Sequence, residues 1–584
     1  MDSNRILTHA AQAIASCNNA ITALAFAIIA FILYYTYEFR KNSDLHKIPG
    51  PYLFALTKWR LALEDWRGTR TMCLRNLHEQ YGPAVRVGPT EVSFASQDAL
   101  RTIYGAGSGF ERTSFYRMFD VYGRQNLFTF GPARQHAERK KALAHAYSKT
   151  TVLHPEATAT PLIQKNVRSY LALIESQRND DNDKTRGHEI FHSLHWFSLD
   201  SITGFLYGDR FGGTHALQQS HHSCDQDRRL LDDILDPARR RLSWFAVHLP
   251  KYTRWLYTRT GLLEKVVQIL RLLPMDKPST YTAIRAHALK SWYSFEESLT
   301  TDSTEIQPIS ERDLSTSQSI MGRLYQHNLS SQIKTGSLRT SSCLMDGLDM
   351  ASELADHLLA GIDTTSDAIM FAIWALSRPE QAHYQARLLD EVAAMSDANG
   401  EIDQHGNPTA DASDKLPFLA AVIKETLRLY APLPATEPRM RTSSKGALID
   451  GWRIPAETVV GMDPYTMHRN PEIFREPLVF RPDRWLAGQG SETDDEHATM
   501  RRWFWAFSSG GRMCIGMHLA MAEMTMLLAA IYRKYTTRLH FKQQNASPGI
   551  TSRFEVFCDE TMPNITEHEC WVHFDPIENV NKAA

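Results

Sequence analysis

Residues Phe507 to Gly516 read FSSGGRMCIG and present one cysteine, Cys514, at the end of a glycine-bearing turn, two residues after a cation, Arg512. A free thiol titrates at about 8.5, so a cysteine that works as a thiolate at neutral pH needs a positive charge or a metal beside it. Arg512 can supply the charge. Gly510 and Gly511 permit positive φ and close approach of the backbone to a flat ligand, and Gly516 lets a helix begin at Met517 tight against the turn. A buried structural cysteine is the alternative that a C-x-G pattern alone favours. A second group lies upstream, in a proline-free stretch from Asp349 to Ser377 that reads as one long helix. Its middle, Ala360-Gly361-Ile362-Asp363-Thr364-Thr365, sets an acid beside an alcohol among small residues. Gly361 weakens the helix by about 1 kcal/mol relative to alanine, and Thr364 can bond back to the carbonyl one turn earlier, so a local bulge is expected. A bulge leaves room for a diatomic ligand, with Asp363 and Thr364 placed to relay protons. The same small residues also suit a helix-packing groove. Glu425 and Arg428, three apart in KETLRL, share a helix face and taken alone describe an ordinary surface pair.

Taken in order, these segments resemble the signatures of the cytochrome P450 superfamily. The pattern F-x-x-G-x-R-x-C-x-G is similar to its haem-binding motif and AGIDTT to its oxygen-activating motif. Glu425 and Arg428, with Arg484 of Pro482-Asp483-Arg484-Trp485, are similar to its ExxR pair and later arginine partner. The resemblance implies that Cys514 is the proximal thiolate ligand of a haem iron, a donor that favours cleavage of an O–O bond. It makes Asp363 and Thr364 catalytic and the triad Glu425, Arg428 and Arg484 structural. It implies propionate contacts from Arg439, His468 and Arg512, and from His136 and Lys140, which stand where an aromatic residue and an arginine are common. Lysine lacks the bidentate fork of arginine. Phe115, Phe119, Ala360, Gly361, Ala435 and Thr436 are expected to face the substrate.

The elements that must position these groups are partly readable. Ala84 to Ala95 alternates as a hairpin, Ser96 caps a short helix that stops at Gly105, and Arg134 to Tyr147 is helical by propensity. A tract poor in apolar residues from Glu297 to Ser342 reads as a surface insertion, as does Gly488 to His497. The fold class that the resemblance implies is mainly α with small β-sheets, the catalytic domain taking residues 52–584. Ahead of it, Ala20 to Tyr37 (AITALAFAIIAFILYYTY) is uncharged and long enough to cross a hydrocarbon core, with tyrosines at the interface end. Residues 20–38 therefore read as a single transmembrane anchor, 1–19 as a short lumenal segment, and 39–51 as a basic hinge containing Ile48-Pro49-Gly50-Pro51. A buried core helix is the alternative for the apolar run.

A net charge of −2 leaves no basic footprint of the kind nucleic-acid binders carry. Seven cysteines without C-x-x-C spacing argue against a zinc site or a disulfide framework. The expected protein is a haem-thiolate monooxygenase of the endoplasmic reticulum membrane, its catalytic domain facing the cytosol, using haem b and O2 on a lipophilic small molecule. NADPH electrons are expected through a separate NADPH-cytochrome P450 reductase, with cytochrome b5 as a further donor. The helix around His136 and the segment ATEPR resemble fungal members and suggest secondary metabolism, on a terpenoid or polyketide. Two alternatives stay open: a haem-thiolate isomerase or dehydratase, which has no need of the Asp363/Thr364 relay, and a non-enzymatic haem sensor or electron carrier.

Overall fold

In the computed structural model, which describes a few positions between 22 and 37 and residues 43–577 apart from 181–186, 219–221, 233–237, 271–281, 302–317, 336–344 and 489–491, helices pack around one long central helix. Those that position the site are α1 (Ala133–Leu143), α2 (Ala159–Asp180), α3 (Ile190–Phe211), α4 (Gly347–Leu376), α5 (Pro417–Leu429) and α6 (Met517–Lys534). The central one, α4, starts at a reciprocal cap. The Asp346 carboxylate accepts from the Asp349 amide at 2.8 Å, and the Asp349 carboxylate accepts from the Asp346 amide at 3.1 Å. Its second half, Ala368 to Leu376, is buried on every side, which explains why its composition lacks a polar face. Among the described residues α4 alone is long and apolar enough to span a membrane, and protein rather than lipid covers it.

The expected bulge is absent: α4 is helical from end to end. Thr364 does bond back, its Oγ1 donating to the Ala360 carbonyl at 2.8 Å. Gly361 serves the packing groove instead, since a β-carbon there would lie 2.6 Å from Cγ1 of Ile202 on α3. Its missing side chain is what lets α3 approach. Gly361→Ala should cost about 1–3 kcal/mol of stability by overpacking. Urea unfolding measures it, and adding Ile202→Ala in the same chain should recover much of the loss.

The main sheet joins β1 (Ala84–Gly88), β2 (Glu91–Phe94), β3 (Phe110–Arg112), β4 (Arg439–Arg441) and β5 (Val459–Gly461) in the order β1-β2-β5-β4-β3. The β1–β2 hairpin pairs Ala84 with Phe94, as its alternation requires. Antiparallel pairing of β3 with β4 sets Arg112 directly opposite Arg439. Near the C-terminus β6 (Ala546–Ser552) and β7 (Glu555–Phe557) form a second hairpin closed by Arg553 and Phe554.

The structure alters two of these readings and adds detail to a third. The tract from Glu297 to Ser342 is no simple surface insertion: within it Ile320–Thr335 is a helix that buries Met321 and Leu324 completely, three residues apart on one face. In the stretch read as a hinge, Leu45 and Ile48 are buried and the Arg86 amide donates to the Pro49 carbonyl at 2.8 Å. Of Gly488 to His497, the last residues enter a helix, Asp494–Trp503, opened by a capping box between Thr493 and Glu496. The apolar run 20–38 lies mostly outside the described residues, as does all of 1–19. The few described positions from Thr22 to Tyr37 are helical and exposed, Phe26, Ile32 and Leu33 among them.

Candidate active site

Cys514 ends the loop that feeds α6, its amide donating to the Phe507 carbonyl at 2.9 Å. The turn needs glycine at Gly510, where φ is +62° and a β-carbon would stand 2.2 Å from the Tyr104 carbonyl oxygen. Of the two glycines expected to allow positive φ, Gly510 alone has it; a β-carbon on Gly511 would meet nothing within 4 Å, and one on Gly516 would meet Cys514 Sγ at an ordinary 3.9 Å. Cys514 is exposed, yet the surrounding protein desolvates its thiol, so it lines a recess rather than the outer surface. Desolvation pushes its pKa up; the amides of Gly516 and Met517 in the first turn of α6, and the Lys140 ammonium, act to lower it. That cation is Lys140, not Arg512. Lys140 Nζ donates to the carbonyls of Met513 at 2.8 Å and Gly511 at 3.2 Å, on the cysteine loop itself. Arg512 turns away, to the carbonyls of Phe130 at 2.8 Å and Gly131 at 2.6 Å.

Around Arg512 the chain gathers like charges. Arg439 is held by the Tyr116 hydroxyl and by Glu437 at 2.9 Å, and Arg112 by the carbonyls of Leu127 at 2.9 Å and Phe128 at 2.6 Å. Burial and the repulsion of Arg112 and Arg439 bring Arg512 down to about 9, and burial with Arg512 and Arg112 brings His136 to about 2, so this imidazole is neutral. The Nε of Arg112 is buried without a protein partner. Such a set is costly unless an anion completes it. Haem fits: its two propionates would complete the cluster of Arg112, His136, Arg439 and Arg512, and its iron would take the uncovered thiolate.

His468 stands outside this cluster. Its Nδ1 donates to the Arg428 carbonyl at 3.1 Å, its Nε2 accepts from the Trp505 amide at 2.8 Å, and its ring stacks on Phe504. With both nitrogens spent and the residue fully buried, it is a strut between α5 and the cysteine loop, and the expected propionate contact is corrected. Beneath it lies the triad, each member with no exposed side-chain surface. Glu425 accepts from Arg428 at 2.8 and 2.9 Å, Arg484 at 3.0 Å, the Arg481 amide at 2.9 Å and Trp485 Nε1 at 2.9 Å. Burial alone would raise its pKa, but the charges of Arg428 and Arg484 outweigh that and hold it at about 2. The surface-pair alternative is excluded by this burial.

On the other side, Asp363 Oδ1 is 3.7 Å from His195 Nε2 on α3, and Asp367 Oδ1, one turn along α4, is 3.9 Å from the same nitrogen. His195 Nδ1 donates to the Phe191 carbonyl at 2.7 Å, which leaves Nε2 as the basic atom facing two carboxyl groups. Burial lowers His195 to about 4, while burial and the neighbouring Asp363 raise Asp367 well above the usual carboxylate range. Both shifts favour the uncharged forms of His195 and Asp367. Ala360 is exposed and Thr364 half-buried beside them.

Phe115 and Phe119 belong to an edge-to-face cluster with Tyr116 and Phe128. Their loop hangs on α4 through the Leu127 amide, which donates to the buried Glu353 at 3.2 Å, a carboxylate also paired with Arg139 on α1. Ala435 and Thr436 are 5% and 6% exposed and form wall rather than open surface, with the Thr436 methyl against Gly461 of β5. A cleft of about 490 Å³ lined by His192, Trp196 and Arg228 shares no residue with any of this. Arg112 and His195 were not singled out from sequence, because strand pairing and helix packing, not motif spacing, bring them here.

The family model "Cytochrome P450" matches residues 49–553. The chain is similar to the cytochrome P450 monooxygenase aflV of Aspergillus parasiticus, 27% identical over 84% of this chain and 85% of that one. It is likewise similar to the tryptophan 6-hydroxylase fscE of Fusarium equiseti, 27% identical over 85% and 87%, and to the benzoate 4-monooxygenase bphA of Aspergillus niger, 25% identical over 88% and 92%. With a cysteine loop, a cation cluster and an acid–alcohol pair in place over a match of this extent, the chain belongs to the cytochrome P450 family.

Proposed function

We propose that this protein is a membrane-anchored haem-thiolate monooxygenase that inserts one atom of O2 into a C–H or C=C bond of a small lipophilic molecule, the other atom leaving as water. The observation that carries the reading is the uncovered Cys514 thiol at the first turn of α6 with Lys140 beside it. Haem, when bound, supplies the oxygen-activating metal; the residues that would hold it are Cys514 as axial donor and Arg112, His136, Arg439 and Arg512 at the propionates. Lys140 positions the cysteine loop through the Gly511 and Met513 carbonyls. Asp367 and Asp363 face the same atom, His195 Nε2, as a proton store and acceptor, and Thr364, anchored to the Ala360 carbonyl, orients the last transfer. This arrangement favours the monooxygenase over an isomerase or a passive haem carrier, neither of which consumes protons. Electrons come from NADPH through a separate reductase, with cytochrome b5 as a further donor. The run 20–38 anchors the chain in the endoplasmic reticulum membrane with residues 52–584 in the cytosol. The helix around His136 and the segment ATEPR, which resemble fungal members, support a place in secondary metabolism, on a terpenoid or polyketide. Relatives named for tryptophan and benzoate support an aromatic substrate, which Phe115 and Phe119 can stack on.

The test is turnover by membranes carrying the full chain, reductase and NADPH on an extract of fungal metabolites under isotopically labelled O2. One labelled oxygen in the product is expected, and turnover without O2 would favour the isomerase. Within that assay Thr364→Ala should cut product per NADPH severalfold and release the missing equivalents as hydrogen peroxide, at unchanged haem content. Unchanged coupling would remove Thr364 from proton delivery.

A further inference from the structure

Arg553 occupies the tip between β6 and β7 at φ +57°, a conformation that residues with a β-carbon rarely adopt. The tip sends its guanidinium inward. One nitrogen donates to the Thr436 carbonyl, and the group lies over the Phe115 ring, 4.8 Å from its centroid. Thr436 and Phe115 are both expected on the substrate side, so three segments distant in sequence meet at this cation. The residue is only half-buried, but burial of its guanidinium lowers its pKa. Among the described residues no carboxylate forms an ion pair with it. Glu437 is engaged by Arg439 at 2.9 Å and by the Ser508 hydroxyl at 3.0 Å, and Glu555 accepts from the Thr71 amide at 2.6 Å and from the Thr71 hydroxyl. Beside it, Thr436 Oγ1 is buried without a hydrogen-bond partner. A tie between the hairpin tip and one carbonyl uses one N–H; the rest of the planar fork is left to receive an anion. A desolvated cation is costly without one. A flat ring under the cation and an orphaned hydroxyl beside it complete the complement of an aryl carboxylate.

We infer that Arg553 is an anion anchor in the substrate pocket, and that the substrate carries a carboxylate on an aromatic body. This rests on the monooxygenase reading for there being a substrate at that place. The test takes the full-length, haem-loaded protein and a panel of one- to three-ring aryl carboxylates, each with its uncharged carboxamide, and measures binding by equilibrium dialysis. The acids should bind better than their amides. Arg553→Gln should weaken the acids about tenfold to a hundredfold and leave the amides unchanged, as expected for losing a charge-assisted hydrogen bond. Arg553→Lys should retain part of the preference. Acids and amides that bind alike in the parent protein overturn the inference. So does a Gln variant that keeps the preference, or one that loses haem while treating both probes alike, which would assign the cation to the propionates. The carbon monoxide difference spectrum of the same samples separates the two levels. A thiolate-type band without acid preference sinks the anchor alone, and acid preference without that band sinks the haem-thiolate reading while leaving the anchor standing.

Discussion

Cys514→Ser is expected to bring oxygenation to background and to remove the far red-shifted band of the reduced carbon monoxide complex. The reason is the donor. A serine hydroxyl is a far weaker acid than a thiol and stays protonated, and a neutral oxygen gives the metal far less electron density than a thiolate. The substitution changes one atom in an exposed residue, so folding and the cation cluster should survive it. A serine variant that keeps the band would mean that another residue binds the metal.

Glu425→Ala is the second large effect, and it acts through the scaffold. Removing the carboxylate strands the guanidinium groups of Arg428 and Arg484, both without exposed side-chain surface, at a cost of about 3–5 kcal/mol. Against a net stability of about 5–15 kcal/mol, little haem-loaded protein should be recovered. The control is Arg387→Ala, which breaks the partly exposed pair with Asp483 and should change stability by about 1 kcal/mol or less. Normal loading of the Glu425 variant would show that the triad is dispensable. The same carboxylate sets an acid limit. Its folded pKa of about 2 lies below the reference value of 4.5, so its contribution is full above pH 4.5 and is lost as the pH falls from there towards 2. Haem release followed across that window checks the sign.

The order of groups along the chain was legible because each motif is local. The glycine of the cysteine turn, the i to i+3 spacing of Glu425 and Arg428 and the long uninterrupted apolar run of α4 are properties of neighbouring residues, and helix or turn geometry translates them directly into position. Where a role depends on what packs from elsewhere, sequence spacing could not supply it. Gly361 was readable as bulge or as groove, and only the approach of Ile202 on α3 decides for the groove. His468 has the right residue type for a propionate, but the Arg428 carbonyl and the Trp505 amide take both of its nitrogens.

What the sequence determined by itself was the chemistry available: one thiol on a glycine turn, an acid beside an alcohol, and a carboxylate with two arginines to bury. Tertiary structure decided which charges act together. Pairing of β3 with β4 sets Arg112 opposite Arg439, α1 brings Lys140 rather than Arg512 to the cysteine loop, and packing of α3 on α4 puts His195 between Asp363 and Asp367. Electrostatic partners are chosen by distance and desolvation in the folded chain, and for residues far apart in sequence both quantities exist only after the elements have packed.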